Sequence, residues 1–203
     1  MGVDVDLGRL ARGRAARPGN VDLVQADARL LPIRDSSARV VVAALALHEL
    51  RPGGGVRCAV MEIARVLEPG GRFVVLDKFL YPPADEAERN SLMWEHLRHE
   101  VVRLTDPRGA PWGLHTERDY VRLIEGAGLR IVSRAAVEVG GFLSGQDFAR
   151  VVSESGVAEE VERIGDPKAR ERLRAWLARL LERAAKHGYR RSKLLLLVAE
   201  KPG

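Results

Sequence analysis

The 203 residues contain one cysteine, Cys58. No intrachain disulfide can form, and the expected setting is a reducing cytoplasm. In its helical pattern Cys58 reads as a small packing residue rather than a nucleophile. Nowhere do eighteen apolar residues run together, which argues against a membrane-spanning helix. No charged-then-apolar segment ending in small residues is present, so no secretory leader is expected. The triple glycine at 53–55 lacks the Lys-Ser/Thr that completes a phosphate-binding loop. The run HLRHE at 96–100 has neither histidine-glutamate spacing of the helical zinc motifs, and a solvent-facing helix is expected there. No internal repeat or low-complexity tract is present either.

What remains is an ordinary globular composition, 46% apolar and 30% charged, long enough for one domain over 1–203 with a substantial core. The net charge of +5 comes mostly from arginine. Acidic residues are interleaved with the basic ones, which favours a solvated surface over a nucleic-acid footprint.

The pattern alternates strands with helices. Val3 to Val5 form a short apolar run, and Leu7, Leu10 and Ala11 then recur at helical spacing up to a stop at Pro18-Gly19. VDLVQAD alternates toward a strand ending at Asp27. ARVVVAALALHEL is a β-branched run expected to be covered on both faces. RPGGG at 51–55 reads as a loop. Val60, Ile63, Ala64 and Leu67 share a helix face that ends at EPGG, and RFVVLDKFL is again a buried strand. Thr116 with Asp119 forms a capping-box pattern, and Val121, Ile124 and Ala127 follow on the buried face. A strand begins near Leu129, and SKLLLLVAEK supplies another close to the C-terminus. Such alternation predicts an α/β fold with a Rossmann-like, mainly parallel sheet and helices on both faces.

Residues 82–113, ending in DPRGAPWG, and residues 142–188 fall outside the alternation and read as helical additions over the sheet, capping the site. In the second, Leu173, Trp176, Leu177, Leu180, Leu181 and Ala184 line one helix face. Arg170, Arg172, Arg174, Arg179 and Arg183 lie opposite, a solvated face first and an anion-binding or RNA-binding surface second.

In an open α/β sheet, ligands bind beyond the carboxyl ends of the strands. Those ends are polar here: Asp4 or Asp6, then Asp27, then His48 and Glu49, then Asp77 and Lys78. A carboxylate closing a strand can hydrogen-bond both hydroxyls of a ribose.

GVDVD at 2–6, VQADARLLPIRDSSARVVVAALALHEL at 24–50 and EIARVLEPGGRFVVLDKF at 62–79 resemble the second, third and fourth motifs of the class I S-adenosylmethionine-dependent methyltransferases, in the broad group that includes the quinone methyltransferases. The resemblance covers residues 2–80 well and 115–139 moderately. It implies S-adenosylmethionine as cofactor. Asp4 matches the acid on the ribose, while Asp27 and Ala28 match the pair beside the adenine. Ala43, Ala44 and Leu45 match the strand end along the methionine part. His48 matches a position bordering the methyl-transfer chamber. It has two readings, a hydrogen bond to a neighbouring loop or a base for the acceptor's proton. Asp77 and Lys78 can equally form a strand-end ion pair.

The family's first motif, a strand with a glycine-rich turn before GVDVD, has no counterpart in the sequence. Three explanations are open: a mis-called start in a truncated reading frame, direct pairing of the two flanking strands, or donation of the strand by another chain, as in a homodimer. Each implies weakened cofactor binding. The expected function is methyl transfer to a small molecule, with RNA or protein as the second class of acceptor. The competing reading is a methyltransferase-like module that binds a partner without catalysis. A nicotinamide-dependent oxidoreductase would need the same glycine turn and lacks the later motifs.

Overall fold

The computed structural model describes residues 1–16, 19, 21–50, 54–106 and 112–203. The stop at Pro18, most of the RPGGG loop and most of DPRGAPWG lie outside the described residues. In chain order the elements are β1 (Gly2–Asp4), α1 (Leu7–Ala16), β2 (Leu23–Gln25), β3 (Ala38–Ala44), a 3-10 turn (Leu47–Glu49), α2 (Gly55–Val66) and β4 (Leu67–Lys78). Then come α3 (Glu86–Thr105), α4 (Glu117–Glu125), β5 (Arg130–Val137), β6 (Phe142–Leu143) and α5 (Gly145–Glu154). The chain closes with α6 (Val157–Glu162), α7 (Pro167–His187), β7 (Tyr189–Arg190) and β8 (Leu194–Glu200).

The central sheet has the order β3-β4-β8-β5. β3 and β4 are parallel, with Val41 opposite Phe73 and Ala43 opposite Val75. β8 runs antiparallel to both β4 and β5, so it alone is reversed and the sheet is mixed. α2 and α4 cover one face, where Val60, Ile63, Tyr120 and Ile124 pack on Phe73, Val75, Leu195 and Leu197. Each such fully buried side chain contributes about 1.5–3 kcal/mol relative to exposure. α4 starts as its sequence predicts. The Thr116 side chain accepts from Asp119 N while the Asp119 carboxylate accepts from Thr116 N, satisfying donors that a helix leaves open at its start.

The composition of the RVLEPGG stretch is explained at the junction of α2 and β4. Gly70 has φ of +78°, a conformation that favours glycine. A Cβ on Gly71 would lie 2.8 Å from Glu68 O and 3.0 Å from Ala38 O, so this residue lets β3 approach. From the last turns of α2, Arg65 donates to Leu31 O and Ile33 O, and the Glu62 carboxylate accepts from Leu31 N. These side chains therefore pin the segment that follows Asp27 to α2.

A second apolar cluster joins α3, α5, α6 and α7 through Trp94, Leu97, Phe148, Leu173, Leu180 and Tyr189. This helical layer is tied to the sheet end by Lys78–Glu95 at 2.7 Å and Lys193–Glu88 at 2.9 Å. Most arginines opposite the buried face of α7 are engaged with carboxylates: Arg172 with Glu100, Arg174 with Glu162, Arg183 with Glu86. The solvated-face reading is the one this pattern fits.

Three expectations need correction. β3 is not covered on both faces: it is an edge strand of its sheet, and Val40 and Val42 are 56% and 62% exposed. β1 and β3 do not pair directly, because β1 and β2 form a separate two-stranded parallel sheet. Cys58 is exposed rather than packed. The phase of α2 turns Val56, Ala59, Val60 and Ile63 inward and leaves position 58 outside.

Candidate functional site

Asp4 and Asp27 sit at and just after the carboxyl ends of the parallel pair β1–β2, where the polar strand ends of the sequence placed them. One oxygen of Asp4, Oδ1, accepts from Asp6 N at 2.9 Å, leaving Oδ2 for a ligand. Asp27 is more committed. Its carboxylate accepts from Arg29 Nε at 3.0 and 2.9 Å, from the Arg29 terminal nitrogen at 2.6 Å and from Arg29 N at 2.8 Å. The guanidinium holds the Asp27 carboxyl below the usual carboxylate range. Ala28 lies in the turn closed by Leu30 N on Asp27 O.

Ala43, Ala44 and Leu45 end β3. Leu45 has φ of +51°, a left-handed conformation that costs an L-residue roughly 1–2 kcal/mol. Its N–H still donates to Leu76 O at 2.8 Å. Strain of this kind concentrates at ligand sites, and no sequence pattern announced it. The structure thus brings Asp4, Asp27 and Ala28 together on one small sheet and Ala43 to Leu45 on another. No strand among the described residues hydrogen-bonds the two.

His48, in the 3-10 turn after β3, is 2% exposed. Its Nδ1 lies 2.5 Å from Asp77 Oδ1, and Nε2 lies 3.2 Å from Glu49 Oε1. Asp77 is wholly buried. Its second oxygen accepts from Leu47 N at 2.8 Å and His48 N at 3.3 Å, and Oδ1 also accepts from Lys78 N. Burial opposes a charge on the imidazole, but the hydrogen bonds to Asp77 and Glu49 outweigh it and push His48 up to about 9. The two carboxylates thus favour the charged form of the imidazole that lies between them. Of the two readings of His48, a hydrogen-bonded residue or a base, these contacts favour the first, since both ring nitrogens face carboxylates. The backbone of the same turn is tied to the segment before α4: His48 O accepts from Gly113 N at 3.0 Å. Lys78 does not pair with Asp77 through its side chain but crosses to Glu95 on α3.

Beneath the helical layer, beside the carboxyl ends of β3 and β4, lies an open cavity of about 300 Å³. Leu45, Lys78, Glu95, Tyr189, Arg191 and Ser192 are among its lining residues. No sequence pattern pointed to Glu95, Tyr189, Arg191 or Ser192, which come from α3 and from the segment between α7 and β8. A second cavity of about 350 Å³ lies between α2 and α4, where Trp112 stacks on His115 at 3.8 Å. It is built by α2, α4 and the segment just before α4, and takes no strand-end residue. Among the described residues no group of histidine, cysteine, aspartate and glutamate could hold a metal. In HLRHE, His99 Nδ1 is bonded to Glu95 O and Glu100 is paired with Arg103 and Arg172.

Comparison with known proteins bears on the fold. A family model described as a methyltransferase domain matches residues 1–75, the stretch that carries Asp4, Asp27, Ala28 and Ala43 to Leu45. The fold is class I methyltransferase-like. A Bacillus halodurans C-125 protein assigned as a methyltransferase aligns over 99% of this chain and 82% of its own, with a TM-score of 0.62 at 19% identity. A chain from the complex of the Haloferax volcanii Trm112 methyltransferase activator with a protein assigned as a methyltransferase aligns over 100% of this chain and 71% of its own, with a TM-score of 0.59 at 16% identity. The cyclase SpnF aligns over 99% and 65%, with a TM-score of 0.54 at 21% identity. Identities this low speak to the fold alone. The family description names no subgroup of methyltransferases. No curated protein matches the chain.

Proposed function

We propose that the chain is an S-adenosylmethionine-dependent methyltransferase acting on a small molecule. The observation that carries this reading is Asp4, an acid at the end of a parallel strand with one oxygen uncommitted, inside the stretch that matches the methyltransferase domain. Bound donor would supply an activated methyl group. Asp4 would hold its ribose, and Asp27 and Ala28 the adenine side. Ala43, Ala44 and Leu45 would lie along the amino-acid end. The chain's own contribution to the rate would be alignment of the acceptor and exclusion of water.

The helical layer of α3, α5, α6 and α7, within the stretches 82–113 and 142–188, caps the site in this reading and selects the acceptor. His48 contributes as a fixed cation that shapes the turn after β3 rather than as a base. A cytoplasmic location is part of the proposal, from the single cysteine. Donor affinity is expected to be weak, because β1 and β3 are not joined within one sheet and Asp27 must be shared with Arg29.

Those same two features favour a second reading, a methyltransferase-like module that binds a protein or RNA partner. The likeness to a chain that is complexed with an activator supports a protein partner. Ultraviolet cross-linking of labelled S-adenosylmethionine, followed by peptide mapping, separates the two. Label on peptides containing residues 2–6, 24–30 or 43–50, lost in Asp4→Ala, supports the methyltransferase. No label, or label spread over unrelated peptides, supports the module.

A further inference from the structure

The cavity below the helical layer has a chemistry of its own. Three of the molecule's exposed large apolar side chains gather on it: Leu45, Val139 and Val151, at 47%, 42% and 40% exposure. Clustered apolar exposure around a concavity marks a ligand surface. The Lys78–Glu95 pair in its wall is internally neutralised. Arg191 is not: it makes no hydrogen bond or ion pair with any described residue, and it is exposed. Next to it Ser192 is 9% exposed, and its Oγ is buried without a hydrogen-bond partner among the described residues. The Tyr81 hydroxyl accepts from Lys193 N at 3.1 Å and lies near enough to Ser192 to interact with it, without closing a hydrogen bond to its Oγ. A buried hydroxyl left unpaired costs free energy unless something completes it. One uncompensated cation, one unsatisfied hydroxyl and an apolar wall describe a receptor for a small amphipathic anion.

We propose that this cavity binds a small apolar carboxylic acid, its carboxylate on Arg191 and its hydrocarbon body against Leu45, Val139 and Val151. Taken with the methyltransferase reading, on which this further step rests, the acid is the methyl acceptor class, since Leu45 belongs both to the cavity and to the proposed donor place. The volume, at the low end of small-ligand pockets, limits the acid to a compact one. Arg191 is then the residue that determines specificity by charge, with Ser192 beside it in the cavity wall.

The test uses octanoate and octanamide as probes, titrated by calorimetry into the full chain without any donor. The acid and the amide differ little in shape but only the acid carries charge. The expected result is one octanoate per chain, bound about tenfold or more tightly than the amide, as charge-assisted hydrogen bonds imply. Arg191→Gln should erase that preference, and Val151→Asp should weaken the acid more than the amide. Both positions are exposed, so the variants should fold. Equal binding of acid and amide, an unchanged preference in Arg191→Gln, or no binding of either probe would overturn the proposal. S-adenosylhomocysteine titrated into the same sample keeps the two claims apart. Acid binding without S-adenosylhomocysteine binding removes the methyl-transfer reading and leaves the acid site standing. S-adenosylhomocysteine binding without acid binding does the reverse.

Discussion

Replacing Asp77 by asparagine keeps the shape of the side chain and removes the wholly buried charge that faces His48. In the native molecule that carboxylate accepts three backbone N–H groups and the His48 ring. The amide in D77N could accept at one atom only, and its NH2 would oppose a donor at the other. Breaking a buried pair by removing one partner costs about 3–5 kcal/mol, a large share of a total stability of about 5–15 kcal/mol. The pair also carries a pH signature. His48 is raised from 6.5 to about 9 in the folded chain, worth roughly 3 kcal/mol. Because the folded value lies above the unfolded one, this stabilisation is complete below about pH 6.5 and is lost as the pH climbs through about 9. Glu49 adds to it, whereas Lys78, also close by, opposes it. Urea denaturation followed by tryptophan fluorescence, at about pH 6 and about pH 9.5, measures both effects. Wild type should be less stable at the higher pH, and D77N should be weaker throughout with a flatter dependence. Equal wild-type stability at the two pH values, or an undiminished slope in D77N, is incompatible with a charged His48–Asp77 pair.

Arg29→Ala should release Asp27 and tighten S-adenosylhomocysteine binding by no more than about fivefold, since an exposed ion pair holds its partners only weakly; weaker binding would show that Arg29 itself holds the ligand. Thr116→Ala removes one half of the capping box on α4 and should cost about 1 kcal/mol in urea denaturation, with no change in ligand binding. Leu45→Gly relieves the left-handed backbone and should leave stability unchanged or raise it by up to about 1 kcal/mol. The same variant should bind octanoate more weakly, so unchanged binding would separate Leu45 from the cavity.

Local signals carried much of this in the sequence. The capping box at Thr116, the apolar face of α7 and the glycines of RVLEPGG each act within a few residues, and each is found where its spacing placed it. The strand-end acids Asp4 and Asp27 were legible for the same reason. What was not legible depends on residues far apart in the chain. His48 reads equally as a loop-bonding residue and as a base until Asp77 meets it, and Lys78 looks like a partner for Asp77 until α3 brings Glu95 across. The β-branched run of β3 suggests a covered strand, but hydropathy does not say which strand stands at an edge. Cys58 lies one step out of phase with a buried face. Arg191 and Ser192 belong to no periodic pattern at all; only the fold of residues 189–194 against α3 and α5 makes them a site.

Calorimetric titration of this chain with S-adenosylhomocysteine decides whether the donor site exists. A methyltransferase requires saturable binding of one ligand per chain, lost in Asp4→Ala. Absence of binding at millimolar ligand, or binding indifferent to Asp4, would rule out the donor site and leave the chain as a methyltransferase-like scaffold with another task.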